Sequence, residues 1–348
     1  MILTLVTILA PQLLSVAASS PRNVTLARTV FSDETWGFRD PTAPVFDGKH
    51  WHVWATRVKG TDNGYAGVVW HLFSETLESE WQDGGVALNL SAPGGWDSHG
   101  VFTPSVAWEG PGGAVVPAPG ATAWFLFFGG VAHAQSPVYD EAIGIASAAS
   151  PFGPWTKAAA NPIINGSACP GPVPWCDEDG PGPHPGVLHL DEAEPYVLGG
   201  RRALYVKTVC RNHTVLPSVF RPANASSWRP PYAFDSDLPQ PVIPPASTPS
   251  GRGFEQARLF MGPDGLLHMT ATAYDGFEPN FVSTDGNAGG SWELAEKMAG
   301  WGAPPHELTP VYPATAEGPP GDAGGVPQYF LQFAGSPYRL DLYRVHWS

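Results

Sequence analysis

Three acidic residues of this chain keep a common spacing to the stretch that follows them. Asp40 precedes His52, Glu192 precedes Leu204 and Glu255 precedes Leu267 by twelve residues each. Around Asp40 the pattern is an acid at the start of one strand, a tight Asp47-Gly48 turn, and an aromatic strand Trp51-His52-Val53-Trp54 returning beside it. Asp-Pro on its own is ordinary turn punctuation, so Asp40-Pro41 alone says little. Three carboxyl groups brought to one place say more. Repulsion and desolvation raise their pKa values, so one can stay protonated as an acid while another remains an ionised base. That is equipment for general acid–base chemistry.

The elements that would position these acids recur along the chain. One unit runs over residues 36–85, with strands around Asp40, Trp51–Arg57 and Tyr65–Trp70 and a closing Trp81. Similar units follow over 100–158, 186–235, 252–296 and 304–346, the last less regular. Each has an opening strand, an aromatic strand, a strand rich in small residues and a Trp-marked fourth strand. Repeated four-stranded units form the blades of a β-propeller, whose first strands line a central channel. The expectation is an all-β, five-bladed β-propeller in a single domain over 19–348. A β-sandwich with coincidental spacing is the competing architecture. In the propeller, the register puts Asp40, Glu192 and Glu255 at equivalent points on three innermost strands.

Composition agrees with short strands and frequent turns. The 348 residues include 40 Gly and 39 Pro, yet also 14 Trp, and disordered chains are poor in aromatics. The net charge of -14 argues against a nucleic-acid partner, because little here could neutralise phosphates. Residues 1–18 read as a signal peptide ending Val16-Ala17-Ala18, which predicts a secreted protein with no membrane association after cleavage. Glycosylation sequons at Asn23, Asn89, Asn165, Asn212 and Asn224 fit that route. Cys169 and Cys176 bracket a Pro/Gly-rich loop and are expected to close it as a disulfide, leaving Cys210 free. The cysteines lack metal-ligand spacing, and neither metal nor cofactor is expected.

Several segments together resemble the five-bladed propeller glycoside hydrolases, above all family 117, and also family 43. They are Arg39-Asp40-Pro41 with Trp54-Ala55-Thr56-Arg57, then Trp96-Asp97-Ser98-His99-Gly100-Val101-Phe102-Thr103-Pro104 and Ser150–Trp155. Leu190-Asp191-Glu192 with Leu204–Lys207, and Gly253-Phe254-Glu255, complete the set. The resemblance implies hydrolysis of a terminal glycosidic bond of an oligosaccharide or polysaccharide with inversion. Asp40 would be the base, Glu192 the carboxylate that tunes the others, with Asp191 as the alternative, and Glu255 the third carboxylate. An inverting acid and base should stand about 6.5–9.5 Å apart. Family 117 carries a His before the third carboxylate, where this chain has Phe254. Glu255 is then the acid, or His306 supplies the proton, or the protein binds sugars without cleaving them. Arg39, Trp96, Asp97, His99, Thr103 and Lys207 lie in the matched segments and would contact sugar hydroxyls. Anhydro-galactose-containing sugars are suggested only by the family 117 resemblance, and a homodimer with an exchanged N-terminal segment stays open.

Overall fold

The stretch Gly100–Glu109 is buried along its whole length. A strand covered on both faces needs a packed layer on each side, and the fold supplies one through neighbouring blades. The computed structural model describes residues 21–59, 66–133, 141–165, 187–198, 200–210, 215–235, 253–273, 278–283, 292–298, 309–311, 326–334 and 338–347. Signal-peptide residues 1–18, Cys169, Cys176, Asn212 and His306 lie outside them.

Strand β1 (Pro21–Asp33) comes first in sequence but belongs to the last blade. The first blade is built from β2 (Trp36–Arg39), β3 (Val45–Phe46), β4 (Trp51–Lys59), β5 (Val68–Ser74) and β6 (Gln82–Leu88). Its inner strand is split into β2 and β3, both paired with β4. The second blade holds β7 (Gly100–Glu109), β8 (Ala123–Val131), β9 (Ala142–Ala148) and β10 (Thr156–Lys157). The third holds β11 (Val187–Leu198), β12 (Arg201–Cys210), β13 (Val215–Pro222) and β14 (Tyr232–Phe234). The fourth holds β15 (Phe254–Met261), β16 (Leu267–Ala273), β17 (Glu278–Ser283) and β18 (Trp292–Met298). The fifth runs β19 (Thr309–Val311), β20 (Tyr329–Ala334), β21 (Tyr338–Trp347) and finally β1. Five antiparallel sheets make a five-bladed β-propeller, not a two-sheet sandwich. No helix among the described residues is long and apolar enough to cross a membrane.

The core lies between the blades. Trp54, Val69 and Leu88 of the first blade pack on Trp108, Trp124 and Phe128 of the second. Phe125, Phe127 and Ile145 meet Leu190, Leu204 and Trp228 across the next seam. Tyr196 and Tyr205 meet Phe254, Leu267 and Trp292 across the one after. Burying each such large side chain contributes about 1.5–3 kcal/mol, so the aromatic strands join blades as much as they fill them.

Two features differ from the sequence expectation. Cys210 is disulfide-bonded rather than free. It ends β12, in register with Val187 of β11. The second feature is β1, which closes the ring by pairing with β21 from Pro21↔Trp347 to Asp33↔Tyr338 within the same chain. Buried Asp341 on β21 holds it, accepting from Thr29 Oγ1 (2.7 Å) on β1 and from Arg339 Nε (2.7 Å). Asp341→Ala is expected to lower stability by about 1–3 kcal/mol, read as a lower urea midpoint. An unchanged midpoint would show that this tie does not hold the ring closed.

Candidate active site

The inner strands change course where they reach the centre. Asp40, Thr103, Glu192 and Gln256 have φ of 52°, 45°, 51° and 55°, a left-handed conformation that residues other than glycine seldom take. The pairing registers shift at Phe102/Ser105, Asp191/Ala193 and Glu255/Arg258, around three of these residues. Such bulges re-aim side chains and recur beside active sites. They also correct the register read from sequence. Arg39 pairs with Thr56, Asp191 with Lys207 and Glu255 with Thr272. Glu255 is therefore equivalent to Asp191, and Gln256 is the true counterpart of Asp40 and Glu192. The twelve-residue count slipped because the residues counted to, His52, Leu204 and Leu267, are not themselves equivalent in the sheets: they precede Thr56, Lys207 and Thr272 by four, three and five residues.

Three acids meet around one ammonium group. Lys207 Nζ, from β12, lies 2.5 Å from Glu192 Oε1, 3.1 Å from Asp191 Oδ2 and 3.2 Å from Glu255 Oε2. Asp40 stands beside this cluster with its own donors. Thr56 Oγ1 donates to Asp40 Oδ2 (2.9 Å), Gln256 Nε2 donates to Oδ1 (2.9 Å), and Arg39 Nε is 3.2 Å from Oδ2. Thr272 Oγ1 in turn donates to Gln256 Oε1 (3.1 Å), fixing which face of the amide Asp40 meets. Thr103 links the two halves: its N–H donates to Thr56 Oγ1 (2.8 Å) and its hydroxyl to Asp191 Oδ1 (2.8 Å). The Gln256 N–H donates to Glu192 Oε2 (2.8 Å). Asp40 is only 5% exposed, whereas Glu255 is 25% exposed. Glu255 is thus the carboxylate best placed to reach something bound at the mouth.

No protein-family model matches the sequence. No curated protein matches it either. Solved structures do. The chain is similar to Zg3597, a family 117 glycoside hydrolase of the marine bacterium Zobellia galactanivorans, with 15% identity and a TM-score of 0.65 over 94% of this chain and 91% of that one. An endo-arabinase from Bacteroides thetaiotaomicron gives 13% identity and a TM-score of 0.59, covering 92% and 98%. A thermostable family-43 glycoside hydrolase gives 12% identity and a TM-score of 0.54, covering 90% and 95%. The fold is that of the five-bladed propeller glycoside hydrolases.

Within that propeller the remaining sequence candidates take different positions. Trp96 is half-buried and stacks on Phe128 (5.6 Å, 26°). Asp97 is fully buried and ion-paired with Lys157, so its carboxylate serves the second blade rather than the open face. His99 is half-buried and its N–H donates to Val131 O (3.0 Å). The buried Phe254 ring packs on Phe281 (5.1 Å) of its own blade and clusters with Tyr196 and Tyr205 of the third. A cavity of about 10 Å³, room for one water, lies among Glu192, Lys207, Phe254 and Glu255. Thr56, Gln256 and Thr272 carry much of the network, yet sequence reading gave them no role. Only the quoted segment containing Thr56 hinted at one.

Two glycines make these approaches feasible. A Cβ on Gly129 would come within 2.6 Å of Asp191 Oδ1 and 2.9 Å of Thr103 Oγ1. Gly253, with φ of +92°, passes so close to Val215 O that a Cβ would lie 1.7 Å from it. That contact fixes where β15 enters and hence where Glu255 stands.

Four carboxyl groups face one ammonium and one guanidinium, so the site is short of positive charge. Burial pushes the Glu192 carboxyl up, to about 8, with Lys207 opposing and Glu255, Asp191 and Asp40 adding to the rise. Below the site, burial pushes Glu194 up to about 7 despite its ion pair with Arg258 at 2.5 Å. Both groups keep protons in the folded state that the unfolded chain has released above about 4.5. Folding stability should therefore fall as pH rises from about 4.5 to about 8. Tm measured across this window should decline, and Glu192→Gln should flatten the decline. A Tm that climbs with pH, or an unchanged slope in the variant, would contradict this electrostatic reading.

Proposed function

We propose that this protein is a glycoside hydrolase that cleaves a terminal glycosidic bond of a neutral oligosaccharide with inversion. The carrying observation is the division of one acidic cluster into two parts. Asp40 accepts hydrogen bonds from Thr56 and Gln256 and is ion-paired with Arg39, while Glu255 reaches outward from a proton-retaining group around Lys207.

In this reading a water molecule lies against Asp40. As its oxygen attacks the anomeric carbon, Asp40 accepts its proton. The bond from that carbon to the leaving oxygen breaks on the opposite side, and Glu255 donates its proton to the departing oxygen. Glu192 and Asp191, sharing Lys207 with Glu255, set the charge around the acid. Similarity to the propeller hydrolases supports the reaction class. The net charge of -14 and the acidic mouth favour a neutral sugar over an acidic one.

Secretion and glycosylation belong to the same proposal. Asn89 and Asn224 are exposed in their sequons, as glycan attachment requires.

Wild type, Asp40→Asn and Glu255→Gln are to be incubated with a panel of defined neutral oligosaccharides. Wild type is expected to release a terminal sugar, and each variant should turn over about 10²–10⁴-fold more slowly. NMR of the first product should show the anomer opposite to that of the substrate. Sugar binding without turnover by wild type and Asp40→Asn alike would instead make the protein a carbohydrate-binding propeller.

A further inference from the structure

A second cluster of polar side chains lies on the first blade, apart from the acids. The turn between β3 and β4 places Asp47, His50 and His52 so that one ligand atom from each lies within 4.8 Å of the others. The carboxylate is already oriented. Asp47 Oδ1 accepts the N–H groups of Lys49 (2.8 Å) and His50 (2.7 Å), which leaves Oδ2 turned toward His52. His52 has no exposed surface, and its Nε2 lies 3.1 Å from Asp47 Oδ2. The two atoms are not aligned for an N–H···O bond, so this buried ring nitrogen has no hydrogen-bond partner. Its axis passes to one side of the oxygen, as it must if both atoms are to meet a third.

We propose that Asp47, His50 and His52 bind one divalent transition-metal ion of the zinc class. Donors bound to zinc at about 2.0–2.1 Å with a tetrahedral angle between them stand roughly 3.3 Å apart. The 3.1 Å between His52 Nε2 and Asp47 Oδ2 is close to that edge. Two imidazoles and one carboxylate suit zinc and its neighbours rather than calcium or magnesium. The other nitrogen of His52 also has the support expected of a metal-bound imidazole: Nδ1 lies 2.9 Å from His71 Nε2 on β5. Phe152, from the second blade, covers the group edge-on, at 4.8 Å from His52, 5.3 Å from His71 and 5.6 Å from His50. Phe152 is 47% exposed, so the lid is thin and leaves an approach from solvent.

The site is separate from the acidic centre. His52 precedes Thr56, the donor to Asp40, by four residues on β4, roughly 13 Å at about 3.3 Å per residue. The metal would fasten the hairpin turn and the seam under Phe152. It takes no part in the proposed hydrolysis.

The test uses the full mature chain, stripped with a chelator and titrated with Zn²⁺ by calorimetry and with Co²⁺ by visible absorption. Wild type should bind one equivalent of either ion, raise its Tm on binding, and show cobalt bands of a low-coordinate site. His50→Ala and Asp47→Asn should each weaken binding at least about tenfold and lose those bands, whereas His346→Ala, at an exposed site elsewhere, should match wild type. Asp47→Asn keeps an oxygen for the turn N–H groups and carries the test if His50→Ala fails to fold. No saturable binding by wild type, or binding unchanged in both ligand variants, would overturn the proposal.

Discussion

Lys207 places a single ammonium against three carboxylates from two different blades, and much of the centre depends on that contact. Asp191 and Glu192 come from the third blade with Lys207 itself, and Glu255 comes from the fourth. Removing one partner of a buried pair costs about 3–5 kcal/mol, because the other charges stay behind. Here three acids would be left facing one another and Asp40. The positive charge therefore allows the blades to bring their acids together at all. Burial of Glu192, with the crowding of four carboxyl groups around one ammonium and one guanidinium, is what leaves a proton in the cluster near neutral pH.

The backbone around this contact is correspondingly specialised. Inner strands that ran straight would alternate side chains between blade faces and could not aim consecutive residues inward. Left-handed residues at Asp40, Thr103, Glu192 and Gln256 break that alternation on four blades. They let one strand present both Asp191 and Glu192, and another both Glu255 and Gln256. Such strain is costly and persists only where the surroundings over-determine it. Hydrogen bonds running from Thr56 through Thr103 to Asp191, and from Glu192 through Gln256 to Asp40, do that here.

The propeller was legible in the sequence because its blades repeat a local pattern of strand types, and aromatic strands mark the seams that hold them. Asp40, Glu192, Glu255 and Lys207 were legible for the same reason, since each sits in a repeated segment. What escaped was anything set by a bulge or a distant partner. Gln256 looked like a neighbour of the catalytic candidate because the count ran to residues of the return strands that are not equivalent in the sheets. The closing strand β1 found no place among the units because its partner β21 is some three hundred residues away. Cys210 looked free because pairing was judged by nearness in sequence, which cannot decide which two of three cysteines pair. The run Asp47-x-x-His50-x-His52 was read only as a turn and an aromatic strand, and its ligand spacing became visible once His52 was seen to be buried.

A double-mutant cycle on Lys207 and Glu192, followed by urea unfolding at neutral pH, measures the contact on which the centre rests. Lys207→Met alone should be strongly destabilising, and adding Glu192→Gln should restore part of the loss. The coupling energy should fall at about 1–3 kcal/mol, within the range seen for residues in one ion-pair network. Strictly additive effects of the two substitutions would mean that Lys207 does not hold the acids together.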